Sequence, residues 1–247
     1  MNQATDAETV DLAFTSLYKL GGIAAWIAAV LTLGEVILFA FYPQPETVVG
    51  WFDLFQENRI LGLLEFWGLE IPMYIMFALV FLALYFSLKK VNGGGMAIAL
   101  TLALLGIGIF LATNNPFSML SLSKQYAAAR TDEQSTAWLA AGQAVLTNTN
   151  QRAVGGFNLG LLLVSTAGLI ASAVMLHSRS FNKLTAYAGI LAFALSLADY
   201  LRQALTDSAA IALLVILPNV LFLTIWLLSA GHKLFQLGRL KSQSQYG

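Results

Sequence analysis

The sequence predicts an all-α polytopic membrane protein, with six transmembrane helices and an extracytoplasmic helical insertion between helices 3 and 4. The chain of 247 residues is 58% hydrophobic and only 11% charged, whereas soluble domains carry roughly 25% charged residues. Six apolar runs reach or approach the ~20 residues that a helix needs to cross a bilayer. The alternating pattern of outer-membrane barrels is not visible.

The six predicted spans follow one another within one membrane domain, residues 1–247. The second run is so long that it must tilt, kink or protrude, and the third and fifth are barely long enough. Pro72 frees a backbone carbonyl near Gly68 and predicts a kink there, and Pro218 predicts another in the sixth span. The spans are residues 20–41, 60–88, 96–113, 157–176, 184–201 and 209–230.

Basic residues predict the orientation of the chain. The termini and the second and fourth loops hold eight of the 13 Lys and Arg residues, and the opposite segments hold five. Because basic residues favour the cytoplasmic side, we expect a multi-pass protein of the cell membrane with both termini in the cytoplasm. The tail before the first span is polar and partly acidic, so a cleaved signal peptide is not expected.

The longest connection, residues 116–155, is predicted to be helical. Thr131 and Gln134 fit a capping box with Thr131 as N-cap, opening a helix that runs to about Val145. Phe117–Ala129 is expected to form a helix before it. A connection of this length with its own helices is typical of a lid or a partner surface, and a cap that merely covers the bundle is an equal alternative.

Composition argues against several functions. The formal net charge is zero, with 13 basic and 13 acidic residues, so there is no basic face for nucleic acid. The chain has no cysteine, which removes thiol catalysis and Cys-ligated metals. Its two histidines do not form a metal-binding pair. We therefore expect no metal, no cofactor and no catalytic residue.

Charged side chains lie in or beside the predicted spans, all towards the same membrane face. A charge in hydrocarbon costs at least ~2.5–3.5 kcal/mol, so it usually faces the bundle interior and marks a site. At 1.5 Å per residue, Glu35 and Asp199 lie roughly 24 Å, and Asn219 about 21 Å, from the cytoplasmic lysine of each span. These three are predicted to be intramembrane, and the others to lie at the rim. The candidate ligand-binding residues are Glu35, Asp199, Asn219, Asn158, Arg202, Glu65 and Glu70.

Helix geometry separates these residues further. Glu65 and Glu70 are about 140° apart around a helix and cannot share a face, which disfavours a two-carboxylate catalytic pair. Asp199 and Arg202 are at i,i+3 and can pair, so one interpretation is a neutralised pair that stabilises the helix end. For Glu35, the corresponding interpretation is a protonated or hydrogen-bonded core carboxylic acid.

The functional interpretation places Glu35 and Asp199 across a shared, outward-facing cavity. Such a cavity suits a cation, a proton or an amine-bearing amphiphile. Aromatic residues near these helix ends are candidates for its mouth, although aromatic belts at the membrane interface are the commoner explanation. They are Phe39, Phe41, Trp67 and Tyr200.

Small residues recur at four-residue spacing in the first and fourth spans. Examples are Gly21, Ala25 and Ala29, and later Gly168 and Ser172. Such stripes let helix backbones approach closely in lipid. We interpret them as intramolecular packing, with homo-oligomerisation as the alternative.

Short motifs in the last three spans, together with the spacing of all six, are similar to those of a known family. They are Gly156-Phe157-Asn158-Leu159-Gly160-Leu161, Gly168-Leu169-Ile170, Ser178, Lys183, Gly189 and Trp226-Leu227-Leu228 before Gly231. The chain resembles the bacterial six-helix integral membrane family catalogued as domain of unknown function 4386. The resemblance implies a six-span bundle with an extracytoplasmic insertion, and it implies no activity and no catalytic residue.

We expect a binding, sensory or accessory protein with an outward-facing polar cavity for a small or amphipathic ligand. Membrane lipid is the expected environment and partner. The alternative is a small-solute or ion transporter or channel subunit, which would need polar residues in the cytoplasmic half, where only Thr and Ser hydroxyls occur. An intramembrane lipid-modifying enzyme is less favoured, because metal-dependent hydrolysis needs clustered His, Asp or Glu ligands. The kind of enzyme that the residues still allow is an acid–base isomerase that uses only carboxylates, with Glu35 as the reacting group.

Overall fold

The computed structural model describes residues 12–148, 158–206 and 208–239. These residues are helical and contain no strand, which confirms the predicted all-α class. The predicted start of the fourth span at residue 157 and the end of the insertion at 149–155 lie outside the described residues. The helices are α1 (Thr15–Phe41), α2 (Val48–Glu57), α3 (Arg59–Leu63), α4 (Glu70–Thr113), α5 (Pro116–Ala127), α6 (Asp132–Asn148), α7 (Leu159–Met175), α8 (Lys183–Leu205) and α9 (Ala209–Leu237).

Several of these helices have the length and composition of membrane spans. Four helical stretches of the described chain meet both criteria, and α7 is apolar but has 17 residues. The protein is therefore a membrane protein, and the count of six crossings stays a prediction. The four stretches are Thr15–Phe41, Arg59–Ala127, Lys183–Gln203 and Ala210–Leu237.

Helix α4 folds back on itself at Asn92. This residue has non-helical backbone angles (φ −152°, ψ 89°), and its Oδ1 accepts a hydrogen bond from the Gly95 N–H at 2.9 Å. The rings of Tyr74 and Phe110 stack with centroids 4.1 Å apart, although a straight helix would separate these residues by about 54 Å. The two arms of α4 (70–91 and 93–113) are therefore antiparallel, as the predicted connection between the second and third spans requires.

The helical segments of the bundle contact one another around a closed ring. The order is α1, the first arm of α4, its second arm, α7, α8, α9 and back to α1. Glycines make the closest approaches: a Cβ on Gly22 would lie 2.8 Å from the Gly231 oxygen, and one on Gly106 would lie 2.6 Å from the Gly160 oxygen. Gly21 likewise packs against Ala83. The small-residue stripes thus serve packing within the chain, as predicted.

A second, smaller cluster lies at the end of the ring where α1 ends and α4 begins, and we call it the cap. It consists of α2, α5 and α6, so it includes the connection after α1 as well as the predicted insertion. Ser123 of α5 donates a hydrogen bond to the Phe52 oxygen of α2 at 2.9 Å. The apolar core of the cap consists of Val48, Trp51, Phe52, Phe55, Phe66, Met119 and Leu146.

The start of α6 shows the predicted capping chemistry in a shifted form. The Gln134 N–H donates to Thr131 Oγ1 at 3.2 Å, as expected for an N-cap threonine. The Gln134 side chain accepts from the Arg130 N–H at 2.9 Å, one residue earlier than the standard box. α6 extends to Asn148, three residues beyond the predicted end.

Candidate ligand-binding cavity

A cavity of about 460 Å³ lies inside the ring at the end that carries the cap. This volume is within the roughly 300–1,000 Å³ of known ligand pockets. Its walls are the segments of α1, α4, α7, α8 and α9 nearest the cap, and they are mostly apolar. The polar wall residues are Thr32, Glu35, Glu70, Tyr74, Ser165, Ser196, Asp199, Tyr200, Gln203 and Asn219.

The three residues predicted to be intramembrane all line this cavity. Glu35 comes from α1, Asp199 from α8 and Asn219 from α9. Each lies on the part of its helix that is nearest the cap. The structure thus brings them together, and their role in binding a ligand stays a prediction.

Asp199 is held by two side chains of its own helix. Its Oδ1 accepts from Arg202 Nε and its Oδ2 from Gln203 Nε2, both at 2.7 Å. Arg202 also donates to the Thr206 oxygen at 3.2 Å. The predicted i,i+3 pair therefore forms, and Arg202 stands behind the cavity wall rather than on it.

Asn219 ties α9 to α8 beside the cavity. Its Nδ2 donates to the Ala192 oxygen at 2.5 Å and to Ser196 Oγ at 2.8 Å. Helix α9 is continuous through Pro218, the residue before Asn219. The proline at which a kink was predicted therefore does not break the helix. Asn219 therefore has a packing role in addition to its place on the wall.

Glu70 lines the cavity, and the residue is only 3% exposed. Helix α4 runs without a break from Glu70 to Lys89, from which its depth was counted, so its place at the membrane boundary stays a prediction. The chain breaks just before Glu70: Phe66 (φ −92°, ψ 69°) and Trp67 (φ 64°, ψ 11°) leave helical geometry within the π-helical stretch Leu64–Gly68. The break also puts Pro72 in the first turn of α4, where proline is tolerated.

Glu65 lies beyond this break as counted from Lys89, and it is fully buried. It does not line the cavity. Neither carboxyl oxygen has a hydrogen-bond partner among the described residues, while its backbone oxygen accepts from Gln44 Nε2 at 2.9 Å. Glu65 and Glu70 are thus apart, as predicted, but a broken helix rather than helical phase separates them.

Asn158 supports the wall without lining it. Its Oδ1 caps α7 by accepting from the Leu161 N–H at 3.2 Å, and its backbone oxygen accepts from the Tyr200 hydroxyl at 3.1 Å. Asn158 is 3% exposed, and Tyr200 is a wall residue. Asn158 was predicted to contact a ligand. The structure instead places it behind the wall, where it holds Tyr200 in position.

Five polar wall residues were not among those predicted for the cavity, namely Thr32, Tyr74, Ser165, Ser196 and Gln203. Gln203 lies four residues after Asp199, and Tyr74 lies four residues after Glu70. Residues four apart share a helix face, so this spacing is the signal that would have found both. Of the aromatic residues proposed for the mouth, Phe39, Trp67 and Tyr200 line the cavity and Phe41 does not.

Helices α1 and α9 touch closely at the end of the ring away from the cap. Gly22 meets the backbone of Gly231 and of Phe235. The Trp26 indole N–H also donates to the Leu228 oxygen at 3.4 Å. We call this contact between α1 and α9 the seam. It is tight at the end of the bundle that is far from the cavity.

Near the cap the same seam opens. Ala40 follows Gly22, and Leu213 precedes Gly231, by 18 residues, which is five helical turns, so they lie on the same two facing surfaces. Yet Ala40 is exposed and Leu213 is 57% exposed, although both line the cavity. Val36, four residues before Ala40 on the same helix face, also lines the cavity and is 36% exposed. The cavity thus reaches the outer, apolar surface of the ring between α1 and α9.

The described residues hold no group of three or more His, Asp or Glu side chains arranged for a metal ion. The chemistry of the wall is instead that of carboxylates, amides, hydroxyls and aromatic rings. These groups can bind an organic molecule through charge, hydrogen bonds and ring contacts.

Fold and cavity together define an α-helical membrane protein with a polar cavity that opens to the side of its helical ring. A family model described as Domain of unknown function (DUF4386) matches residues 17–231. The chain belongs to this family, as the resemblance of its motifs predicted. No curated protein and no solved structure matches the chain significantly.

Proposed function

We propose that the protein binds an amphipathic small molecule, in a sensory or accessory role, and that this molecule enters the cavity from the membrane. The observation that supports this proposal is the opening between α1 and α9, which joins a cavity lined by both polar and apolar side chains to an apolar outer surface. A solute that enters from water has no need of such an opening. An amphiphile already dissolved in the bilayer does.

The distribution of wall residues fits such a molecule. Glu35, Glu70 and Asp199 supply charge, while Leu217, Val220 and other apolar residues of α9 supply hydrophobic surface. A head group can then contact the carboxylates while a chain lies along α9. Burial of the chain contributes ~0.8 kcal/mol per CH₂.

The second candidate function is that of a transporter or channel subunit. The packing at the end of the cavity away from the cap favours a binding protein over a transporter. Trp226 is fully buried there. Its ring lies 5.0 Å from that of Phe193 and 6.5 Å from that of Phe81. These three aromatic side chains fill the interior of the helical bundle on the side of Asn219 that is away from the cap. A transporter would have to rearrange this packing during each cycle.

Filling the cavity tests the proposal. Val220 lines the cavity, whereas its neighbour Leu221 is 58% exposed and does not. After purification in mild detergent, we expect the wild-type protein to retain an amphiphile that mass spectrometry detects. Val220→Trp should reduce its amount by about tenfold, equivalent to ~1.4 kcal/mol, and Leu221→Trp should not. Equal retention by the two variants, or no bound amphiphile in any of the three proteins, would contradict the proposal.

We also propose that the cap and the cavity lie on the extracytoplasmic side of the cell membrane. The bias of basic residues supports this orientation. Lys89 lies 5.0 Å from the Phe14 ring at the end of the bundle opposite the cap. Lys183 donates to the Leu176 oxygen at the same end.

Single cysteines test this orientation, because the chain has none of its own. Glu133 of α6 and Gly94 of the α4 hairpin are both exposed. In intact cells, a membrane-impermeant maleimide should label Glu133→Cys, and it should label Gly94→Cys only after lysis. The reverse pattern would show that the cap faces the cytoplasm.

A further inference from the structure

We infer that the ligand of the cavity has one unbranched apolar chain of about 12 carbons, and that aromatic side chains at the inner end of the cavity set this length. The inference rests on the proposed function and narrows the class of ligand to single-chain amphiphiles with a small head group. It is carried by the volume of the cavity, by the length of its apolar wall and by its closed inner end.

The volume of the cavity is that of one chain. A cavity of about 460 Å³ has the volume of about 15 water molecules at roughly 30 Å³ each. A methylene group occupies nearly the same volume as a water molecule, so about 15 non-hydrogen groups of a ligand fill the space. A phospholipid with two long acyl chains is far larger and cannot be enclosed.

The apolar wall of the cavity follows one face of α9. Apolar side chains recur there at intervals of three or four residues, so they share that face. They are Leu213, Leu217, Val220 and Leu223. The helix rises by about 15 Å from the first of them to the last. A C–C bond of about 1.5 Å advances an extended alkyl chain by about 1.25 Å, so about 12 carbons span this wall.

The outer end of this wall is open, and the inner end is enclosed. Leu213 and Leu217 are 57% and 58% exposed, and both lie nearest the cap. Val220 and Leu223 are half-buried and lie further from the cap. The cavity is therefore a slot that a chain enters between α1 and α9 and follows away from the cap.

Aromatic side chains close the inner end of the slot. Trp226 lies about one helical turn beyond Leu223 on α9, and Phe193 lies about one turn beyond Ser196 on α8. Trp226 is fully buried and Phe193 is 4% exposed, and their rings meet edge to face with centroids 5.0 Å apart. The Phe193 ring also fills the space beside Gly168 of α7, where a Cβ would lie 2.3 Å from it. A chain that is too long for the slot meets this packed layer.

Polar side chains near the inner end are bonded within the protein. Thr32 Oγ1 donates a hydrogen bond to the Ala28 oxygen. Asn219 Nδ2 donates to the Ala192 oxygen and to Ser196 Oγ. Because these donors already have partners, the inner end suits a hydrocarbon chain better than a head group. The head group then lies at the outer end, and the end of the chain points towards the aromatic layer.

Photolabelling with 1-dodecanol tests the position of the chain. Two probes carry a diazirine, one at carbon 11 and one at carbon 3. The purified full-length protein is labelled in a sterol-based detergent, which has no alkyl chain to compete. Peptide mass spectrometry then assigns the labelling that an excess of unlabelled dodecanol prevents. We expect the carbon-11 probe to label Val220–Trp226 and the carbon-3 probe to label residues around Leu213 and Leu217.

A series of unlabelled 1-alkanols with 8 to 18 carbons tests the length of the chain. The alkanols compete with the carbon-11 probe at equal mole fractions in the detergent. We expect competition to be strongest at about 12 carbons and at least about tenfold weaker at 8 and at 16. A shorter chain leaves the inner end empty, and a longer one pushes its hydroxyl group out towards the apolar surface.

Variants at Leu223 assign the length limit to the inner end. Leu223→Trp reduces the space there and should move the strongest competition to a chain shorter by about two carbons. Leu223→Ala enlarges the space and should move it to a longer chain. Leu221 is 58% exposed and does not line the cavity. Leu221→Trp and Leu221→Ala should therefore keep the wild-type preference.

The outcomes separate this inference from the proposed function. Competition that grows steadily to 18 carbons, or an optimum that neither Leu223 variant moves, would overturn the length limit and leave amphiphile binding intact. If dodecanol prevents no labelling of the cavity wall by either probe, the proposed function falls as well. The chain-length series uses the wild-type protein, so it stands even where a Leu223 variant fails to fold.

Discussion

Gly22→Leu is expected to prevent the closure of the helical ring. A Cβ at this position would lie 2.8 Å both from the Gly231 oxygen and from the Phe235 nitrogen. Because both are backbone atoms, no rotation of a side chain can relieve the clash. Overpacking usually costs about 1–3 kcal/mol, and we expect the upper end or more, since two whole helices must separate. The measurement is thermal unfolding with size-exclusion chromatography in mild detergent.

Gly34→Leu on the same helix is the matched control. A Cβ there meets nothing within 4 Å, and Gly34 lies about 120° around α1 from Gly22, so a side chain extends outwards from the helix without meeting α9. Replacing a helical glycine also removes a backbone-entropy cost of roughly 0.5–1 kcal/mol. The control should therefore unfold at or slightly above the wild-type temperature. If the two variants have the same stability, the glycine contact does not hold α1 to α9.

The positions of Glu35, Asp199 and Asn219 show how far simple counting reaches. Each lies on a helix that runs without a break from a lysine at the end of the bundle opposite the cap, so 1.5 Å per residue is a valid ruler. The structure places all three on one cavity wall. Depth along regular helices is a local property, and it can be read from spacing alone.

Glu65 shows where that ruler fails. Its depth was counted from Lys89 along one continuous helix, whereas Trp67 turns the chain through a positive φ between these two residues. Gly68, the residue next to Trp67, is the one that a sequence would suggest for such a conformation. The surrounding packing decides otherwise, because Trp67 sits against Phe110, which is 43 residues away in the chain. A local pattern cannot report a contact of that kind.

Helices of the cap could be predicted from the sequence, but the way they pack against one another could not. Apolar residues and the capping pair at Thr131 indicated helices in the insertion. The pairing of α2 with α5 depends on distant partners, such as Ser123 and Phe52. The burial of Glu65 next to this cluster follows from the same long-range packing. The periodicity of apolar residues describes one helix at a time, so it cannot predict these contacts between helices that are distant in the chain.

Arg202→Met is expected to destabilise the protein by about 3 kcal/mol, the lower end of the cost of breaking a buried ion pair. The side chains of Arg202 and Asp199 are only 10% and 16% exposed. Removing the guanidinium leaves the carboxylate with the Gln203 amide as its remaining hydrogen-bond partner among the described residues, in a place that water reaches poorly. Methionine keeps most of the volume and isolates the effect of charge. Chemical or thermal unfolding in one detergent gives the difference.

Asp199→Asn completes a double-mutant cycle with this change. Alone, it leaves the Arg202 guanidinium without its charged partner, so it should also destabilise the protein. The double variant removes both charges and should lose clearly less stability than the sum of the two single effects, with a coupling of about 1.5–3 kcal/mol. Additive losses would mean that the pair contributes through packing alone.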